Sequence, residues 1–174
     1  MKKLVIFVLT LLVLACGNND IDPYDQAAQL TIDLENIDSY LESQGITPNV
    51  DGATGIRYVI TQPGDGTGAD VGDIVEVNYA LYNFQGELID TNIIDVAREG
   101  GILGTDLSRY VPFKFTVGEA GIITGFSRSV ELLSTTGSGD FYIPSVYAYQ
   151  NRGSGNIAPN ESLLFQIELL EVLD

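Results

Sequence analysis

The sequence predicts an α+β fold: several antiparallel strands with one short helix, preceded by a separate amino-terminal helix. Three observations predict it. Leu30, Leu34, Ile37 and Leu41 recur at spacings of four, three and four, which is one apolar stripe on a helix. From Asn49 the pattern changes to alternation, with Ile74, Val75, Val77, Tyr79 and Leu81 forming the longest strand signal. Within that strand-rich part, Phe126, Val130 and Leu133 return to helical spacing.

The elements follow in order. Asp22-Pro23 reads as a helix start, a capping carboxylate with proline at the first helical position. Gly45 is placed to end that helix, so it runs from Pro23 to about Gln44. Its stripe has two uses open to it: packing on the main domain, or pairing with a second copy as a homodimer through the 23–44 helix. Ile56 to Thr61 alternates and is rich in β-branched residues, and Gln62 to Gly68 is a loop. Asn83 to Gly86 supplies turn chemistry before a return strand, Leu88 to Asp90. Thr91 to Val111 is a long polar stretch dotted with glycine. Phe113 to Val117 is strand-like, Gly125 to Leu133 is the short helix, and Phe141 to Ile143 and Leu163 to Leu170 close the chain as strands.

Before these elements lies a leader. Lys2 and Lys3 are followed by an apolar run from Leu4 to Ala15, broken only by Thr10. A spanning helix needs about 20 apolar residues. This run is too short and fits the core of a signal peptide. It ends in Val13-Leu14-Ala15-Cys16, then Gly17-Asn18-Asn19-Asp20, which resembles the lipobox of bacterial lipoproteins. That resemblance implies lipid on the Cys16 sulfur and cleavage just before it. Two or more acyl chains anchor stably where one does not. The absence of an acidic residue at Gly17 favours the outer over the inner membrane, by the same resemblance. The chain then divides into a signal peptide over 1–15, a lipid-anchored linker and helix over 16–50, and a domain over 51–174.

Charge and composition exclude several classes. The net charge is −16, and loss of Lys2 and Lys3 takes it to −18. Such a body is repelled by nucleic acid, and no basic patch offsets this. With no histidine, hydrolysis by Ser-His-Asp or Cys-His and the usual zinc sites are ruled out. One cysteine allows no internal disulfide. The segment Gly64-Asp65-Gly66-Thr67-Gly68 matches neither phosphate-binding fingerprint, and Asp65 and Asp70 lack calcium-loop spacing. No metal and no cofactor are expected.

A set of short segments then narrows the reading. Val77-Asn78-Tyr79, Gly86-Glu87-Leu88-Ile89-Asp90-Thr91, Pro112-Phe113-Lys114-Phe115, Val117-Gly118, Ile122-Ile123-Thr124-Gly125-Phe126, Ile143-Pro144-Ser145, Tyr147-Ala148-Tyr149 and Leu163 to Leu170 follow one another. In this order and spacing they resemble the FKBP-type peptidyl-prolyl cis-trans isomerases, from about Gly55 to Asp174. The helix leading into Thr54-Gly55-Ile56-Arg57-Tyr58 is also similar to the amino-terminal extension of the macrophage-infectivity-potentiator branch.

The resemblance implies a twisted antiparallel sheet wrapped around one short helix, with an apolar hollow between them. Tyr79, Asp90, Tyr149 and Phe165 would be its catalytic residues. Ile89, Phe113, Ile122, Ile123, Phe126 and Ile157 would bind substrate, with Phe126 as the floor. The Tyr149 hydroxyl and the Ile123 backbone N–H would hydrogen-bond the bound peptide. The partners implied are proline-containing exported polypeptides, met in the cell envelope outside the cytoplasm. A catalytically weak binding module on the same membrane surface is the alternative.

The chain departs from the family in four places. Ala80-Leu81 follow Tyr79 in place of Thr-Gly. Ile89 stands where phenylalanine is common, and Gln150 where glycine usually is. The stretch between Asp90 and Pro112 is about a dozen residues longer than in short members, and it borders the hollow.

Overall fold

The computed structural model describes residues 24–173. The leader, Cys16 and the Asp22-Pro23 pair lie outside the described residues. Helix α1 spans Gln26–Gln44. Its amino-terminal cap is Asp25, whose carboxylate accepts from the backbone N–H groups of Ala27 and Ala28 at 3.0 Å each. The helix therefore starts three residues later than Asp22-Pro23 suggested, because Asp25 satisfies the orphan donors of the first turn. Gly45 ends it in the left-handed region (φ 67°), as expected.

The strands are β1 (Asn49–Val50), β2 (Arg57–Gln62), β3 (Ile74–Tyr82), β4 (Leu88–Thr91), β5 (Phe113–Thr116), β6 (Ser138–Ile143) and β7 (Leu163–Leu173). They form one antiparallel sheet in the order β1-β2-β6-β7-β3-β4, with β5 also on β3. The short helix α3 (Thr124–Glu131) lies on one face. Phe126, Val130 and Leu133 are buried there against Val75, Val77, Phe141, Phe165 and Ile167. Gly125 is required at this contact, since a Cβ would lie 2.3 Å from Ile143 Cγ2.

On its other face the sheet carries α1. Ile37 and Leu41 pack with Tyr142, flanked by Val59, Phe84 and Leu164. The Tyr40 and Phe84 rings stack with centroids 4.5 Å apart. Strand β6 is thus buried on both faces, with Phe141 and Ile143 toward α3 and Tyr142 toward α1. Arg57 clamps Asp38 of the helix through two bonds of 2.8 and 2.7 Å. Of the two uses open to the apolar stripe, packing on the main domain is the one observed. One member of the buried face is polar: Asp33.

The 91–111 stretch, expected to lack regular structure, contains a helix, α2 (Ile94–Glu99), and a 3-10 turn (Leu107–Arg109). Helix α2 is six residues long and has no side-chain cap, so little in the local sequence marks it. The structure pins both ends of the stretch through Asn92. Its Oδ1 accepts from the Tyr79 N–H at 2.7 Å, and its Nδ2 donates to the Val77 and Val111 carbonyls at 2.9 Å each.

Candidate functional site

The hollow lies between α3 and the concave face of the sheet. Tyr79, Leu81, Asp90, Phe113, Gly121, Ile122, Ile123, Phe126, Tyr149 and Phe165 line it, around a cavity of about 200 Å³. Strand geometry explains the selection. Tyr79 and Leu81 alternate onto one face of β3. Leu81 pairs with Asp90 of β4 on one side and with Phe165 of β7 on the other, so all three share that face. Phe126 rises from the first turn of α3 and is 4% exposed, a floor beneath the cavity. Its ring meets Tyr79 at 5.7 Å and Phe165 at 5.2 Å, both edge to face. Edge-to-face rings hold one another in place beyond simple burial.

One carboxylate faces the cavity. Asp90 Oδ2 accepts from the Tyr79 hydroxyl at 2.7 Å, and Oδ1 pairs with the Arg109 guanidinium. Arg109 belongs to the 3-10 turn inside the long stretch, so the insertion supplies a partner to the site. Burial, then the hydrogen bond to Asp90 and its charge, pushes the Tyr79 hydroxyl well above the usual phenol range. Burial, followed by the Asp90 charge, pushes Tyr149 upward. Both phenols therefore stay protonated and can donate hydrogen bonds near neutral pH. The Ile123 carbonyl caps α3, accepting from the Phe126 and Ser127 N–H groups. Among the described residues, no acceptor is assigned to the Ile123 N–H, which leaves it available to a ligand.

The expected residues converge with two exceptions. Tyr79, Asp90, Phe113, Ile122, Ile123, Phe126, Tyr149 and Phe165 surround the cavity. Ile89 lines a separate cleft of about 580 Å³ with Glu87, Glu99 and Asn156. It is the extra residue of a bulge in the β3–β4 pairing, and its side chain also packs against the main core. Ile157 is 6% exposed and belongs to the main core, held in a tight turn with Ser154. Leu81, Gly121 and Arg109 were not anticipated. Alternation from Tyr79 could have found Leu81; nothing in the local sequence marks Arg109. Gln150 adopts φ 53°, the left-handed conformation that a glycine takes without strain. The larger cleft is polar and lacks the aromatic floor, so the smaller hollow is the better candidate for an apolar ligand.

Residues 66–170 match the family model described as FKBP-type peptidyl-prolyl cis-trans isomerase. A relative from Neisseria meningitidis, named a probable FKBP-type peptidyl-prolyl cis-trans isomerase FkpA, is 34% identical over 122 residues, covering 69% of this chain. The chain spans only 39% of that relative's length. The Drosophila melanogaster peptidyl-prolyl cis-trans isomerase Fkbp12 is 36% identical over 68% of this chain and 98% of its own. Among solved structures, FkpA from Escherichia coli aligns with a TM-score of 0.62 at 25% identity, over 85% of this chain and 61% of that one.

Proposed function

The chain belongs to the FKBP-type peptidyl-prolyl cis-trans isomerases, and from that premise we propose that its hollow catalyses rotation about X-Pro bonds in exported polypeptides. The observation that carries the reading is the aromatic cavity with Tyr79, Asp90 and Tyr149 at its edge. The reaction needs no nucleophile. The obstacle is the partial double bond between carbon and nitrogen, with a barrier of about 18–20 kcal/mol for ordinary amides. That double-bond character rests on charge separation between oxygen and nitrogen. An apolar floor of Phe126, Phe113 and Phe165 solvates the separation poorly, so it costs less to lose. The Ile123 N–H and the Tyr149 hydroxyl hold the peptide on either side of the turning bond. Pairing with Arg109 and Tyr79 fixes Asp90 and limits its net charge at the mouth. A cavity shaped for the twisted imide binds it better than either planar isomer, which is what lowers the barrier.

The experiment is relaxation of a short X-Pro peptide from cis to trans. Acceleration by micromolar protein is expected; none would sink the reading.

We further assign the Cys16 sulfur as the site of lipid attachment, with the domain held outside the cytoplasm and the outer membrane as its address. A relative from Legionella longbeachae carries the name outer membrane protein MIP. Residues 17–25 separate Cys16 from α1, and nine extended residues reach at most about 32 Å. A short tether of this kind keeps the hollow near emerging exported chains. Labelling with a fatty-acid analogue tests it: Cys16→Ala should lose the label, and a labelled variant would place the anchor elsewhere. Ile37 and Leu41 are buried in the chain's own core, so this part of the stripe serves to dock α1 on the domain.

A second reading is a holding role for the insertion. Ile102, Leu103, Leu107 and Val111 are exposed on the same insertion that carries Arg109. An apolar rim suits a loosely bound unfolded chain. A Leu103→Ser, Leu107→Ser double variant should keep peptide isomerisation and lose suppression of client aggregation. Unchanged suppression removes this reading.

A further inference from the structure

We propose that Asp33 is a positioning residue of the prolyl hollow, acting from the amino-terminal helix through the turn that precedes Tyr149. The proposal rests on reading that hollow as the isomerase site. Asp33 lies outside residues 66–170, the part that matches the family model.

Asp33 occupies a helix face where an apolar residue is the default. It is 1% exposed. One carboxylate oxygen accepts from Gln29 Nε2 at 2.8 Å. The other accepts from the Ser145 hydroxyl at 2.7 Å and from the Val146 backbone N–H at 3.3 Å. Ser145 is fully buried. A carboxyl group in such a place is tolerated only because donors satisfy it. Two of its three donors belong to one turn, Ser145–Tyr147, more than a hundred residues away in sequence.

Tyr149 follows that turn by two residues. The turn is closed by the Tyr147 N–H on the Pro144 carbonyl at 3.0 Å and the Ala148 N–H on the Ser145 carbonyl at 2.9 Å. On the far side of Tyr149, the Gln150 side-chain amide donates to the Val146 carbonyl at 3.3 Å. Val146 is therefore held at its N–H by Asp33 and at its carbonyl by Gln150. The backbone on both sides of Tyr149 is thereby referred to α1. The helix is held at several points, by Ile37, Tyr40 and Leu41 on the sheet and by Arg57 at Asp38, so no single apolar contact sets its place. Releasing Asp33 frees the turn, and the Tyr149 hydroxyl loses its fixed place over the cavity. Misplacing a binding group by a fraction of an ångström weakens substrate capture before it affects the fold.

The test compares Asp33→Ala, Asp33→Asn and Ile37→Ala in the full chain, purified in detergent. Two quantities are read: kcat/KM on a short X-Pro peptide per folded molecule, and the NMR ring signals of Tyr149, assigned with Tyr149→Phe. Asp33→Ala should lower kcat/KM about fivefold, chiefly through KM, and shift or broaden the Tyr149 signals. Asp33→Asn keeps an acceptor and should recover to within about twofold. Ile37→Ala should lower the melting temperature yet leave kcat/KM per folded molecule within about twofold. The proposal is overturned if Asp33→Ala leaves the Tyr149 signals unchanged. It is equally overturned if Ile37→Ala, with its Asp33 intact, loses as much activity per folded molecule. If the wild type itself does not accelerate the peptide, the isomerase reading fails, and the Tyr149 signals alone decide the positioning role.

Discussion

Two arginine–aspartate pairs, one rooted on the short helix α3 and one at the mouth of the hollow, serve different ends. Arg128 projects from α3 to Asp51, with bonds of 2.7 and 3.0 Å, and also reaches Glu131 at 2.8 Å. Asp51 is 5% exposed, and the Thr54 hydroxyl donates to it at 2.6 Å. Both Asp51 carboxylate oxygens are engaged within the protein. Arg109 and Asp90 form the other pair, at the mouth of the hollow, with side chains 49% and 36% exposed. Burial makes an ion pair structural, because breaking it strands a charge away from water. Exposure makes the pair weak in stability and keeps the carboxylate within reach of a ligand at the mouth of the hollow.

The contrast can be broken at either pair. Arg128→Ala should have the largest effect, a loss of about 3 kcal/mol in denaturant unfolding, with kcat/KM per folded molecule unchanged. A loss under about 1 kcal/mol would remove the structural role. The same pair sets an acid limit. The Arg128 guanidinium, followed by the Thr54 hydroxyl, outweighs burial and holds the Asp51 carboxyl far below the usual carboxylate range. A depressed folded pKa adds stability above the unfolded value, near 4, and that stability drains away as pH falls below it. Melting temperature should therefore drop between about pH 4 and pH 2, and Asp51→Asn should flatten that slope.

At the open pair the readout changes from stability to rate. Asp90→Ala should lower kcat/KM about tenfold while unfolding free energy moves by about 1 kcal/mol or less. Arg109→Ala should have the smallest effect, within about 0.5 kcal/mol in stability and about two- to threefold in kcat/KM. A destabilisation at Arg109 equal to that at Arg128 would erase the distinction between the two pairs.

The strands and the short helix were legible because burial imposes period 2 or 3.6 on contiguous residues. Tyr79, Phe126 and Phe165 were legible for a second reason, their place in a familiar order of segments. Ile89 sits at a bulge in the β3–β4 pairing, where alternation no longer fixes which face a side chain takes. Asp33, Asn92 and Arg109 left no local trace. Each owes its role to a partner distant in sequence, Ser145 for Asp33, Val77 and Val111 for Asn92, Asp90 for Arg109. Periodicity reports which face is buried, and carries no information on which polar groups will meet there. Helix α2 escaped notice because six residues without a cap fall below what propensity can mark.

The hollow as a prolyl isomerase site is the central claim, and one measurement bears on it most directly. Cis-to-trans relaxation of a short X-Pro peptide is followed with the wild type and Tyr149→Phe side by side. The account predicts clear acceleration by the wild type, a decrease of about fivefold in kcat/KM for the variant, equivalent to about 1 kcal/mol for one hydrogen bond, and an unchanged melting temperature. A wild type that leaves the relaxation at its spontaneous rate would contradict it.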